Sequence, residues 1–91
     1  MQPEELRLDG NAAAGTLREV FAAEVTVMLA TCAGCGAERP MGALLEYGDG
    51  MGVILRCPGC DRAMLRVART PEFVRVDASG MSLLAIPRAA E

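Results

Sequence analysis

Val25, Val27 and Leu29 alternate with Thr26, Met28 and Ala30. This is the two-residue period that sends successive side chains to opposite faces of a strand, and it predicts a strand over residues 25–30. Further strands are expected at Met41–Tyr47, Val53–Arg56, Met64–Thr70, Phe73–Asp77 and Leu83–Ile86. Turn signals separate them: Gly48-Asp49-Gly50, whose Asp-Gly step is a strong hairpin signal, then Thr70-Pro71 and Ser79-Gly80, with Pro87 closing the last strand. Ahead of the strands the period changes. Leu17, Val20 and Phe21 recur at helical spacing behind Asp9-Gly10-Asn11, which predicts a helix over about residues 11–23 capped by Asp9 or Asn11. Gly15 weakens this helix, and its apolar stripe is expected to lie on the sheet. The expected fold is small and mainly β (α+β), an antiparallel sheet of about five or six strands with one N-terminal helix. The chain reads as one domain over residues 1–91, with a frayed tail at Ala89-Ala90-Glu91.

The four cysteines fall into two knuckles at residues 32–35 and 57–60, Cys32-Ala-Gly-Cys35 and Cys57-Pro-Gly-Cys60. Two Cys-x-x-Cys pairs supply the four sulfurs that a tetrahedral zinc site requires. Gly34, Gly36 and Gly59 stand where such loops turn most tightly. The 21 residues between Cys35 and Cys57 suffice for a hairpin that returns the second pair to the first. Cys32, Cys35, Cys57 and Cys60 are therefore expected to bind one Zn²⁺ per chain, each pair sitting where two strands meet.

Hydrophobic residues make up 52% of the chain, but its aromatics are only Phe21, Tyr47 and Phe73. The core must then be aliphatic, with methionines filling gaps, and a metal is expected to supplement it. The opening Met1-Gln-Pro-Glu-Glu is acidic and unlike a secretory signal, and Glu24 interrupts the best apolar run. A cytoplasmic location is expected, where paired cysteines hold metal more often than they form disulfides. Nine arginines and no lysine, beside fifteen alanines, point to a GC-rich genome.

The net charge of −3 is uneven. Residues 56–75 carry Arg56, Arg62, Arg66, Arg69 and Arg75 against Asp61 and Glu72. These arginines fit solvent-facing strand positions that offset an anionic metal site. Arg62, Arg66 and Arg69 are also candidate contacts for an acidic protein partner.

The stretches Leu8-Asp9-Gly10-Asn11-Ala12-Ala13-Ala14-Gly15, Cys32-x-x-Cys35-Gly36, Leu55-Arg56-Cys57-Pro58-Gly59-Cys60-Asp61 and Arg69-Thr70-Pro71 resemble a family of small actinobacterial proteins of unknown function. The resemblance spans nearly the whole chain. It implies a zinc-ribbon-like domain standing alone with no established activity. It also implies genes neighbouring molybdopterin oxidoreductases and flavoprotein reductases, so that an oxidoreductase becomes a candidate partner.

Several chemistries compete for the four sulfurs. A closed zinc site leaves no coordination position for catalysis. Iron in the same ligands would make a rubredoxin-like electron carrier, and Cys-Pro-Gly-Cys resembles one rubredoxin loop, although such sites are usually enclosed by aromatics. A redox dithiol would want a helix after its first cysteine, where strands are expected instead. With no histidine and no lysine, the usual general base and amine nucleophile are missing, and no enzyme activity is expected. Nucleic-acid binding is the weaker partner reading, because single-strand platforms interleave aromatics with basic residues and only Phe73 is at hand. No membrane association is expected. A homodimer remains open, since so small a sheet can leave an apolar face uncovered.

Overall fold

The computed structural model describes residues 9–88. Leu8 of the opening motif and the tail at 89–91 lie outside the described residues. Asp9 caps the first turn, its Oδ1 accepting the Asn11 N–H at 3.0 Å. A 3-10 turn at Gly10–Ala13 then runs into helix α1 (Ala14–Phe21). Seven strands follow: β1 (Leu29–Cys32), β2 (Glu38–Pro40), β3 (Leu45–Asp49), β4 (Gly52–Arg56), β5 (Ala63–Arg69), β6 (Val74–Asp77) and β7 (Met81–Ala85). All pairings are antiparallel, in two sheets rather than the one expected: β2-β1-β7 and β3-β4-β5-β6.

The expected class holds, a small mainly-β fold with one helix, but several elements differ from the sequence reading, and the last strand spans Met81–Ala85 where Leu83–Ile86 is expected. The strand expected over 25–30 begins only at Leu29, because Val25–Val27 form a 3-10 turn. Glu24 causes this: its Oε1 accepts both the Thr26 N–H (3.1 Å) and the Thr26 hydroxyl (2.6 Å), a local alternative to strand pairing. The strand expected over 41–47 likewise starts late, since Met41–Ala43 form a matching turn. The two turns meet: the Met41 N–H donates to Met28 O at 2.8 Å, and a Cβ on Gly42 would lie 3.2 Å from Thr26 O. Strand β2 was invisible in the sequence. Glu38-Arg39-Pro40 has no apolar pattern, and proline suits the edge position it takes opposite Leu29.

The hairpin turn also moves. Register pairs Asp49 with Gly52, so the chain reverses at Gly50-Met51 instead of Gly48-Asp49-Gly50. Gly48 is needed within the ladder, for a Cβ there would stand 2.5 Å from Gly52 O.

The core is small and lies under the cysteine knuckles: Ala30, Cys32, Leu44, Cys57 and Met64, with Met41, Leu55 and Met81 packed against it. The methionines Met28 and Met64 do fill the core, whereas Met51 is exposed at the hairpin tip. Met64 owes its place to an irregularity, since Leu55 pairs with Leu65 and Arg56 with Ala63, leaving Met64 as the extra residue of a bulge.

Helix α1 does not pack as its stripe predicts. None of its residues is buried, and Phe21 is 80% exposed. An open groove of about 540 Å³ separates Val20 and Ala23 from Ile86 and Pro87 after β7. The larger sheet also keeps an aliphatic face: register places Val53, Leu55, Leu65, Val67, Val74 and Val76 on one side, with Val74 and Val76 well exposed. The molecule is correspondingly extended, with a radius of gyration of 15.8 Å, against about 12 Å for a compact chain of this length. Among the described residues no helix is long and apolar enough to cross a membrane.

Candidate metal centre

Each knuckle is the tip of a hairpin. The first joins β1 to β2 in the smaller sheet, and the second joins β4 to β5 in the larger, so the cysteines lie at strand junctions as expected. Their backbones repeat one pattern. In the first, the Gly36 N–H donates to Cys32 O (2.9 Å) and the Cys32 N–H to Ala37 O (2.9 Å). In the second, the Asp61 N–H donates to Cys57 O (2.8 Å) and the Cys57 N–H to Arg62 O (2.9 Å). These bonds tighten each loop until both sulfurs face the opposite knuckle.

The four Sγ atoms then lie within 4.8 Å of one another. Cys32 Sγ is 3.6 Å from Cys60 Sγ, and Cys35 Sγ is 3.7 Å from Cys57 Sγ. A metal–sulfur bond of about 2.3 Å requires tetrahedral S···S edges of about 3.8 Å, so these cross-knuckle separations suit a shared ion. The first cysteine of each pair is buried and the second exposed, which places the cluster at the surface of the core.

Backbone N–H groups prepare two of the sulfurs for the thiolate form. Gly34 N–H donates to Cys32 Sγ (3.3 Å) and Gly59 N–H to Cys57 Sγ (3.4 Å). The Cys32 thiol is lowered, mainly by the Cys35 N–H, against desolvation. Cys57 is lowered to about 6 by the Cys60 N–H first and then that of Gly59. Cys60 is different: the Arg62 N–H lowers it, but the neighbouring sulfurs and desolvation outweigh that and push it up to about 11. In the absence of an ion, the crowded sulfurs thus resist full ionisation. A divalent cation would supply the missing charge.

Two arginines flank the cluster, each beside the other knuckle. A Cβ on Gly34 would fall 2.9 Å from Arg62 Cδ, and one on Gly59 would fall 3.0 Å from Arg39 Nη2. The glycines leave room for these side chains. Arg39 was missed in the sequence because β2 was missed, and the only hint was a basic residue soon after each second cysteine. Its Nε is buried without a hydrogen-bond partner. Behind the second knuckle, Arg56 donates from Nη1 to Asp61 O at 2.9 Å.

Of the expected contact residues, Arg62 and Arg66 border one pocket, whereas Arg69 does not. Arg66 and Arg69 are three residues apart on a regular stretch of β5, so they point to opposite faces.

Paired knuckles bringing four sulfurs together on a small two-sheet scaffold define a ribbon-like cysteine domain suited to holding a metal ion. The chain belongs to a family of unknown function, DUF6510, whose model matches residues 2–89. No curated protein and no solved structure matches it.

Proposed function

We propose that this chain is a non-catalytic protein-interaction module of the cell interior, held together by one structural Zn²⁺ on Cys32, Cys35, Cys57 and Cys60. The carrying observation is the four-sulfur cluster, drawn from two sheets and continuous with the core through Cys32 and Cys57. Zinc here would cross-link the two sheets through their shared small core, and apparent binding energies of about 10–16 kcal/mol are available from such sites. Four sulfurs complete the coordination, so the ion would present no open position to a substrate. The lack of any buried aromatic favours zinc over a rubredoxin-like iron: Phe21, Tyr47 and Phe73 are all more than half exposed. The exposed Val74 and Val76 on the aliphatic face of the larger sheet support a partner or second copy as their cover.

Cys57→Ser tests the structural role. It should release the metal and abolish cooperative melting, because it removes a core ligand. A metal-free variant that melts like the parent would refute the reading.

A further inference from the structure

Beside the second knuckle lies a pocket of about 360 Å³ lined by Arg62, Ala63, Arg66, Asp77, Ser79 and Gly80. Its floor is tied to the first knuckle, since Gly80 O accepts the Ala33 N–H at 2.9 Å. Its wall is β5, where Arg66 stands opposite Asp77 on β6. Asp77 is engaged locally: its Oδ1 accepts the Ser79 N–H at 2.9 Å and shapes the turn. Among the described residues the ion pair within 4.0 Å is Arg56–Asp61, so neither Arg62 nor Arg66 has a carboxylate that close.

Two guanidinium groups therefore border one concavity with a single carboxylate beside them, leaving it one positive charge. Resting on the interaction-module reading, we propose that this pocket receives one carboxylate, carried by an acidic side chain of a partner protein. Arginine presents paired N–H donors that match a carboxylate. Charge argues for a carboxylate over a phosphate. A dianion would exceed the single net charge of the lining and meet Asp77. The partner residue thus docks against the metal knuckles, using Arg62 and Arg66 but not Arg69.

The test is an amide NMR titration of the zinc-loaded chain with the blocked tripeptide acetyl-Ala-Glu-Ala-amide, its Gln analogue, and inorganic phosphate. The glutamate peptide should give saturable shifts at Arg62, Ser79 and Gly80, and the Gln peptide none. Arg66→Gln should weaken binding at least fivefold while Arg69→Gln leaves it unchanged. Absence of shifts at these amides, equal response to the Gln peptide, equal loss in Arg69→Gln, or tighter binding of phosphate would each overturn the proposal. Zinc content and melting temperature of the same samples separate the two readings. A folded, zinc-loaded chain that ignores the peptide refutes the pocket alone, whereas a folded chain lacking zinc refutes the module itself.

Discussion

Gly36 and Asp61 hold the same place in the two knuckles. Each directly follows the second cysteine of its pair, and each has left-handed backbone, with φ of 77° and 65°. Both bend the chain so that its next carbonyl can accept the first cysteine's N–H. Glycine takes this conformation freely, whereas an L side chain is strained by about 1–2 kcal/mol. Aspartate is among the better-tolerated exceptions.

Gly36→Ala should therefore destabilise the metal-loaded protein by about 1 kcal/mol. Asp61→Gly should be neutral or slightly stabilising, because the exposed Arg56–Asp61 pair it removes spans 4.0 Å and contributes little. Urea melts of the two variants against the parent measure this, and the account requires opposite or clearly unequal shifts.

Gly80 joins the two sheets, and a Cβ there would overlap the Ala63 carbonyl oxygen. Gly80→Ala must push β5 away from the turn before β7, at a cost above about 2 kcal/mol. Gly15 lies within α1, and a Cβ added to it would meet nothing within 4 Å. Gly15→Ala should instead stabilise by up to about 1 kcal/mol through helix propensity. Thermal melts of the pair distinguish a close approach from a free glycine.

These glycines show what could be read from the chain alone. The knuckles were legible because cysteine spacing is a chemical constraint that tertiary packing cannot override. Strands β4 to β6 were legible because alternation and turn residues agree there. The start of β1 was not, since Glu24 offers Thr26 local hydrogen bonds that outcompete the alternation of Val25 and Val27. The helical stretch was placed within two residues at each end once the 3-10 turn Gly10–Ala13 is counted with α1, but its apolar stripe misled. Periodicity identifies a sticky face without saying what covers it, and Leu17 and Phe21 remain exposed. Arg39 was hidden because its strand has no pattern of its own.

Acid should loosen two turns. Glu24 is held below its usual range by the Thr26 hydroxyl and N–H, and Asp77 by Ser79's side chain and N–H, with Arg66's charge assisting. Both folded values are depressed, so their stabilisation is present above the ordinary carboxylate range and lost as pH falls through and below about 4. Glu24→Gln should flatten the acid side of a stability-against-pH curve and leave neutral stability nearly unchanged. Chemical denaturation at several pH values checks the slope.

Arg39 and Arg62 each lie against the opposite knuckle, where their charges would favour an anionic metal–sulfur cluster. Replacing either with Gln should speed metal release to a chelator several-fold at low salt, and less so at high salt, where screening has already weakened the interaction. Stopped-flow transfer to a chromogenic chelator follows this directly, and identical rates in parent and variants would show that the two guanidinium groups do not stabilise the bound ion.

The central claim is one structural zinc on four cysteine sulfurs, and its most direct test is metal content with a visible spectrum on protein purified from its native host. The native source matters because overproduction in another host can load zinc into an iron site. The account predicts one zinc per chain and a colourless solution. One iron per chain, with a visible band that bleaches on reduction, would contradict it and make this small domain an electron carrier.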